Sequence, residues 1–342
     1  MKVSIVLPVR DAAATLGACL DALAAQTVAP AEIVIVDNGS RDASAGIARA
    51  FAERVSALAV SRVSEPRRGA TFARNRGAAL ARGDVLAFID ADCEPVADWL
   101  ERAVAAFEPG IGAVAGAVHP APPRSAVEAV AGLYTLRSGT EAMDVTRFGL
   151  VTGGFPTANL LVRRDVFVAA GGFDESIPMH GEDFDLCARI YRLDQRIRYA
   201  PGAIVVHHHR ATLRGVVTQA FNHGSSHAYL LRRHFTRKIL IEGPGVRWQR
   251  TDVPARVWID LASADKKLVA LLLASTWMPP FWALTTAYVL YLYVDAHRRF
   301  RREERTVPMG SRLIAPIVLL AKSAGMTAGR VAGSVRFGAL CL

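Results

Sequence analysis

The chain has 342 residues, a hydrophobic fraction of 51% and a formal charge of +10. That length suits one large α/β domain plus an appendage, with apolar content enough for a sizeable core. Cys19, Cys93, Cys187 and Cys341 stand far apart, which excludes a disulfide framework and a structural zinc site. No helix-turn-helix, zinc-finger or RNA-recognition signature accompanies the positive charge, so nucleic acid is not an expected partner.

The run Met1–Pro8 is too short for a signal peptide, and a charge follows at Arg10. The first third alternates strand-like runs, Val3–Val9, Glu32–Val36, Ala57–Val63 and Asp84–Ile89, with helical patterns over Ala13–Ala25, Asp42–Ala52 and Ala70–Ala81. Such alternation implies βαβ units and a mostly parallel central sheet with flanking helices. Ligands of open sheets bind beyond the carboxyl ends of the strands. Val36-Asp37-Asn38-Gly39-Ser40 and Ile89-Asp90-Ala91-Asp92 both fall at such ends. If the backbone there is extended, Asp90 and Asp92 point to the same side. Paired carboxylates at that place suit a hard divalent ion, Mg²⁺ or Mn²⁺, bridging to a substrate diphosphate; solvated loop aspartates are the alternative.

Residues 119–210 are less regular and richer in glycine and proline, the kind of segment from which acceptor pockets are built. A helix is predicted from near Glu182, with acids in its first turn where the helix dipole favours them. His207-His208-His209 closes the apolar strand Ala203–Val206. On a strand, His207 and His209 share a face and His208 points away. Residues Thr212–Phe235 read as a basic amphipathic helix. Leu268–Val294 then runs without a charge, long enough to cross a bilayer, but Pro279-Pro280 divides it near the middle. Two half-length helices that dip into the membrane and return keep Arg298–Arg305 on the inner side, as the positive-inside rule favours. Packing of these helices on the protein's own surface, or on a dimer partner, is the alternative. A shorter apolar stretch, Leu313–Ala321, is interrupted by Lys322.

Six segments in order resemble glycosyltransferase family 2, the inverting enzymes with the GT-A fold. They are Ser4–Asp11, Glu32–Ser40, Arg68–Gly77 with its Ala73-Arg74-Asn75, Asp84–Asp92, Asn159–Asp174 and Gly181-Glu182-Asp183. The resemblance covers about residues 1–235, split as a nucleotide-sugar-binding half (1–118) and an acceptor half (119–235). Residues 236–342 are left as a helical membrane-associated region. Arg10 departs from the pattern, since an aromatic residue is commoner there.

The resemblance implies roles. Pro8, Val9, Arg10, Asp11, Asp37, Arg74, Asp90, Ala91 and Asp92 would contact the nucleotide-sugar donor, by default a UDP-sugar. Asp92, Asp90 and His207 would hold Mn²⁺ or Mg²⁺, with His209 the second choice of histidine. Asn159 and Glu182 would meet the acceptor, and Asp183 would be the catalytic base. Simpler readings stand beside these. Asp11 can cap the first helix, Arg74 can be a solvated helix charge, and Asp174 and Trp99 read as a turn acid and a core residue. The implied activity is metal-dependent transfer of a sugar, with inversion, to a lipid-linked or cell-envelope glycan at the cytoplasmic face of the membrane. The competing reading is a non-catalytic subunit of a membrane polysaccharide complex, which intact Asp90, Asp92 and Asp183 disfavour. A nucleotidyltransferase would need a glycine-rich phosphate loop after the first strand, and Leu7–Asp11 has no glycine.

Overall fold

Strand β1, Val3–Val9, is apolar at nearly every position because both its faces are covered. Ile5, Leu7 and Val9 enter one hydrophobic cluster and Val6 enters another, so the period of two shares each strand between two cores. The computed structural model describes residues 1–136, 139–149, 153–177, 180–235, 238–243, 246–251, 253, 255–302 and 307–342. Arg305 of the basic block lies outside the described residues.

After β1 come α1 (Leu16–Ala24), β2 (Glu32–Asp37), α2 (Ser44–Arg54), β3 (Val60–Ser64), α3 (Ala70–Leu80) and β4 (Val85–Phe88). These are the elements the periodicity predicts, with ends shifted by a few residues. Then follow β5 (Cys93–Pro95), α4 (Trp99–Ala105), β6 (Ile111–Pro120), α5 (Ala126–Tyr134), β7 (Met143–Val145), β8 (Leu160–Arg163) and α6 (Arg164–Ala169). Helix α7 (Glu182–Tyr191) and β9 (Arg196–His207) complete this part.

The sheet runs β3-β2-β1-β4-β8-β6-β9-β5, with β7 on β9. β3, β2, β1 and β4 are parallel, and β8 joins β4 antiparallel, Phe88 opposite Leu160. The carboxyl ends of β1, β2 and β4 therefore open on one side, where ligands of such sheets bind. Helix α3 lies hard on β1 because Gly77 has no side chain; a Cβ there would meet Val6 Cγ1 at 2.5 Å.

The chain divides into two compact units, residues 1–119, 136–178 and 182–208, and residues 120–135, 179–181 and 209–342. The sequence reading draws its boundary at residue 235. Helix α8 (Leu213–His234) belongs to the second unit, with α9 (Ala264–Trp277), α10 (Phe281–Arg302) and α11 (Ser311–Phe337). The reason is contact along α11. Gly325, Gly329 and Gly333 let the backbones meet, and a Cβ at Gly329 would fall 2.0 Å from the Phe221 carbonyl oxygen.

The region expected to be helical also holds a sheet, β11-β10-β12-β13, from β10 (Lys238–Gly243), β11 (Val246–Thr251), β12 (Arg256–Asp260) and β13 (Leu340–Cys341). Its last strand comes from the chain's end and pairs with Val257 and Trp258, a long-range partnership no local pattern announces. Pro279-Pro280 does part the uncharged run into α9 and α10. By length and composition, α11 is the one helix among the described residues that could cross a membrane.

Candidate active site

Asp37, the last residue of β2, sits half-buried at the sheet's open end, and its Oδ1 accepts the Ser40 N–H at 3.1 Å. Asp11 takes up a left-handed conformation (φ 47°) in the loop after β1. Its Oδ1 accepts the Arg41 N–H at 2.7 Å and its own N–H donates to Ser40 Oγ at 3.2 Å. It does not cap α1, which starts at Leu16 behind Thr15. Instead it ties the first strand's loop to the second's.

Arg10 is half-buried, its Nε 3.8 Å from the Asp11 carboxylate. Pro8 precedes Val9, whose side chain is in the core, so Val9 has only its main chain to present. Asn38 was missed by the sequence reading, though it directly follows Asp37 at the strand end. It is buried, donates to the Glu65 and Arg67 carbonyls and accepts from the Gly69 N–H, pinning the loop that leads into α3.

Arg74, on α3, is neither a solvated charge nor free for a diphosphate. It is 5% exposed. Nη2 lies 2.7 Å from Asp90 Oδ1 and Nη1 lies 2.7 Å from Glu182 Oε1. Burial works against its charge, but Asp90 and Glu182 outweigh it and hold the guanidinium protonated. Glu182 is correspondingly turned inward. One of its oxygens, expected to meet an acceptor, is taken by Arg74, and the other is buried with no partner among the described residues.

Asp183, next along α7, keeps partial exposure. Burial and the neighbouring Glu182 push its carboxyl up to about 7, while Arg74 and the Phe184 N–H it accepts pull the other way. A half-buried carboxyl of that kind is suited to take a proton near neutral pH.

The spacing argument for Asp90 and Asp92 does not survive. β4 stops at Phe88, and residues 90–93 make a turn closed by the Cys93 N–H on the Asp90 carbonyl at 3.0 Å. The two carboxylates therefore have separate partners. Asp90 goes to Arg74, whereas Asp92 goes to the end of β9, where its Oδ1 is 3.5 Å from His207 Nε2. Pairing of β5 with β9, Cys93 opposite His207, sets that approach. Ala91, between them, is buried in the core.

Asp92, Cys93 and His207 bring their ligand atoms within 4.8 Å of one another, and Asp90 is not in that group. Burial and Asp92 raise the Cys93 thiol above its ordinary pKa in the metal-free protein, and a hard divalent ion takes oxygen and nitrogen donors in preference to sulfur. What remains is a carboxylate and an imidazole at a separation near the ~3 Å between adjacent ligands of an octahedral ion. That donor set fits Mn²⁺ or Mg²⁺ completed by ligand oxygens. His208 turns away to Glu94 Oε1 at 2.6 Å, as strand alternation predicts. His209 falls in the second unit.

Asn159 is corrected outright as an acceptor contact. It is 0% exposed, and its polar atoms are all engaged: Nδ2 donates to the Ala117 and Ala203 carbonyls, and Oδ1 accepts from Trp99 Nε1. Trp99 is a core residue, as its simpler reading had it.

Residues 4–168 match the family model "Glycosyl transferase family 2". The chain is 32% identical over 184 residues to "Glycosyltransferase AglE" of Haloferax volcanii, covering 53% of this chain and 58% of that protein. It is 27% identical over 236 residues to "O-antigen chain rhamnosyltransferase RfbN" of Salmonella typhimurium, covering 67% of this chain and 73% of that one. The chain thus spans less than two thirds of the first relative's length. Among solved structures it is similar to mannosyltransferase PcManGT from Pyrobaculum calidifontis, in complex with GDP-Man and Mn²⁺. The TM-score is 0.57 at 19% identity, covering 97% of this chain and 86% of that one. That likeness shows the fold, which is of the GT-A type.

Proposed function

We propose that this chain, whose residues 4–168 match the family model "Glycosyl transferase family 2", transfers a sugar from a nucleotide-sugar donor to a glycan or lipid-linked acceptor. The observation that carries the reading is the convergence of Asp92 with His207 and of Asp183 with the Arg74–Glu182 pair at the open end of the sheet. Asp37 and the loop Pro8–Asp11 are suited to the base and ribose. Asp92 and His207 would hold the divalent ion. Once bound, that ion supplies Lewis-acid stabilisation of the departing diphosphate.

Asp183 takes the proton from the acceptor hydroxyl as that oxygen attacks the anomeric carbon, a direct displacement that inverts configuration. Its high pKa makes it a stronger base than an ordinary carboxylate. Asp90 is fixed by Arg74, with one oxygen left for the donor. A UDP-sugar is the default donor and the inner membrane surface the proposed location, both carried over from the family resemblance and the apolar C-terminal run.

A nucleotide-release assay over a panel of UDP-, GDP- and dTDP-sugars, with EDTA and with Mn²⁺, tests this. Release should occur with one donor class, vanish with EDTA and return with Mn²⁺. Absence of release with every donor in the presence of polyprenyl phosphate and glycan acceptors would reject it.

A further inference from the structure

Within the second unit, α9 and α10 form an antiparallel hairpin. Ser275 Oγ meets Thr285 Oγ1 at 3.1 Å, and Tyr288 Oη donates to the Ala264 carbonyl. Its base is fastened to α11. Ser323 Oγ donates to Asp265 at 2.6 Å, and Ala296 and Phe300 share a core cluster with Ala315 and Val318. The opposite end carries no such packing. Trp277 is 88% exposed, Trp282 55%, and Met278, Pro279, Pro280 and Leu284 are exposed with them. Exposed apolar side chains continue down both arms through Leu273 and Leu290. A contiguous patch of this kind on a folded protein marks an interaction surface.

We propose that this hairpin is a membrane-docking element whose tip enters one leaflet of an anionic bilayer. Length fits one leaflet and not a crossing. The uncharged parts of the arms, Leu268–Trp277 and Phe281–Val294, are about 15 and 21 Å long at 1.5 Å per residue. The hydrocarbon core is about 30 Å thick.

Charge complementarity chooses lipid over a protein partner. Between Lys267 and Asp295 the hairpin has no charged residue, and just beyond lie Arg298, Arg301 and Arg302, all exposed. Cations at the base of an apolar tip, with tryptophans on the tip, are the arrangement that headgroups and acyl chains accept together. Along α11, Leu313, Ile317, Ala324, Ala328, Val331 and Val335 make a second exposed apolar stripe, bounded by Arg312 and Arg336. The hairpin does not depend on the transfer reading, since docking is measured without donor or acceptor.

The full-length chain, freed of detergent, is mixed with phosphatidylcholine vesicles with and without phosphatidylglycerol and sedimented. Binding should be strong with phosphatidylglycerol and weakened by salt. Tryptophan emission should shift to the blue and be quenched by brominated lipid, a readout that needs no variant. Trp277→Ser with Trp282→Ser should lower partitioning at least tenfold, abolish most of the quenching and leave the melting temperature and donor turnover unchanged. Arg298→Glu with Arg301→Glu and Arg302→Glu should remove the preference for phosphatidylglycerol.

Undiminished binding of the tryptophan variant, or no quenching of the wild type, would overturn the proposal. So would a lipid-free dimer that the same variant splits, which would assign the tip to a second copy. Modification of Met278→Cys by an impermeant thiol reagent trapped inside the vesicles would replace docking by a crossing.

Discussion

Arg74 Nη1 stands 2.7 Å from Glu182 Oε1, joining α3 to α7, 108 positions later. The same guanidinium holds Asp90, so one buried cation fixes two carboxylates and lies beside a third, Asp183.

Arg74→Ala should therefore do two things. Removing one partner of a buried ion pair leaves an uncompensated charge, at a cost of about 3–5 kcal/mol. It also removes a group that lowers the Asp183 pKa. Urea unfolding should show the lower midpoint, and any residual turnover should have its acidic limb moved to higher pH. Arg74→Lys should retain part of the stability but not the fork that grips two carboxylates at once.

Asp183 makes turnover rise with pH. Its carboxyl is pushed up to about 7, so below that value it is protonated and cannot act as base, and above it the base is available. kcat/KM should climb through pH 6–8 and then level. Asp183→Asn should remove that limb and cut transfer by roughly 10²–10⁴-fold with donor binding preserved. The linkage to stability has the opposite sign. Because the folded-state pKa is raised, the native state holds the proton more tightly than the unfolded chain. Stability contributed by this group is present below about pH 4 and is lost as pH rises towards 7. A loss of donor affinity with unchanged transfer per bound donor would contradict the assignment.

His207→Ala should weaken Mn²⁺ binding at least about tenfold, the size of effect typical of perturbing a metal site's ligand set. His208→Ala should not, because that ring faces Glu94 on the other side of the strand. Titration of Mn²⁺ followed by its EPR signal, with no donor present, separates the two. Equal behaviour of both variants would remove His207 from the ligand set.

Asn159→Ala strands the Trp99 indole N–H and two carbonyls inside the core. Each buried unsatisfied group costs about 1–3 kcal/mol, so thermal unfolding should move down by many degrees. The acceptor KM of whatever folds should be unchanged. A raised acceptor KM at wild-type stability would restore the role this residue has lost.

The parallel half-sheet was legible in the chain because its strands are covered on both faces. Such strands must be apolar where both faces are covered, as Ile5–Val9, Ile33–Val36 and Val85–Phe88 are. The strand-end acids Asp37, Asp90 and Asp92 were legible for the same reason, since a charge can follow such a run only where the core ends.

What each acid touches was not legible. Whether Asp90 and Asp92 share an ion depends on whether their backbone is extended or turned, and the turn places one on Arg74 and the other on His207. Asn159 and Glu182 carry polar side chains that look available in a sequence. Only the long-range packing around them shows that Trp99 and Arg74 already hold them. The boundary between the units was hidden likewise, because small residues on α8 and α11 carry no hydrophobic signal yet permit the closest helix contact. Local pattern, set by the period of burial along one segment, was available to the sequence alone. Pairings between segments a hundred residues apart belong to the tertiary structure, because a side chain's polarity says that it needs a partner without saying which.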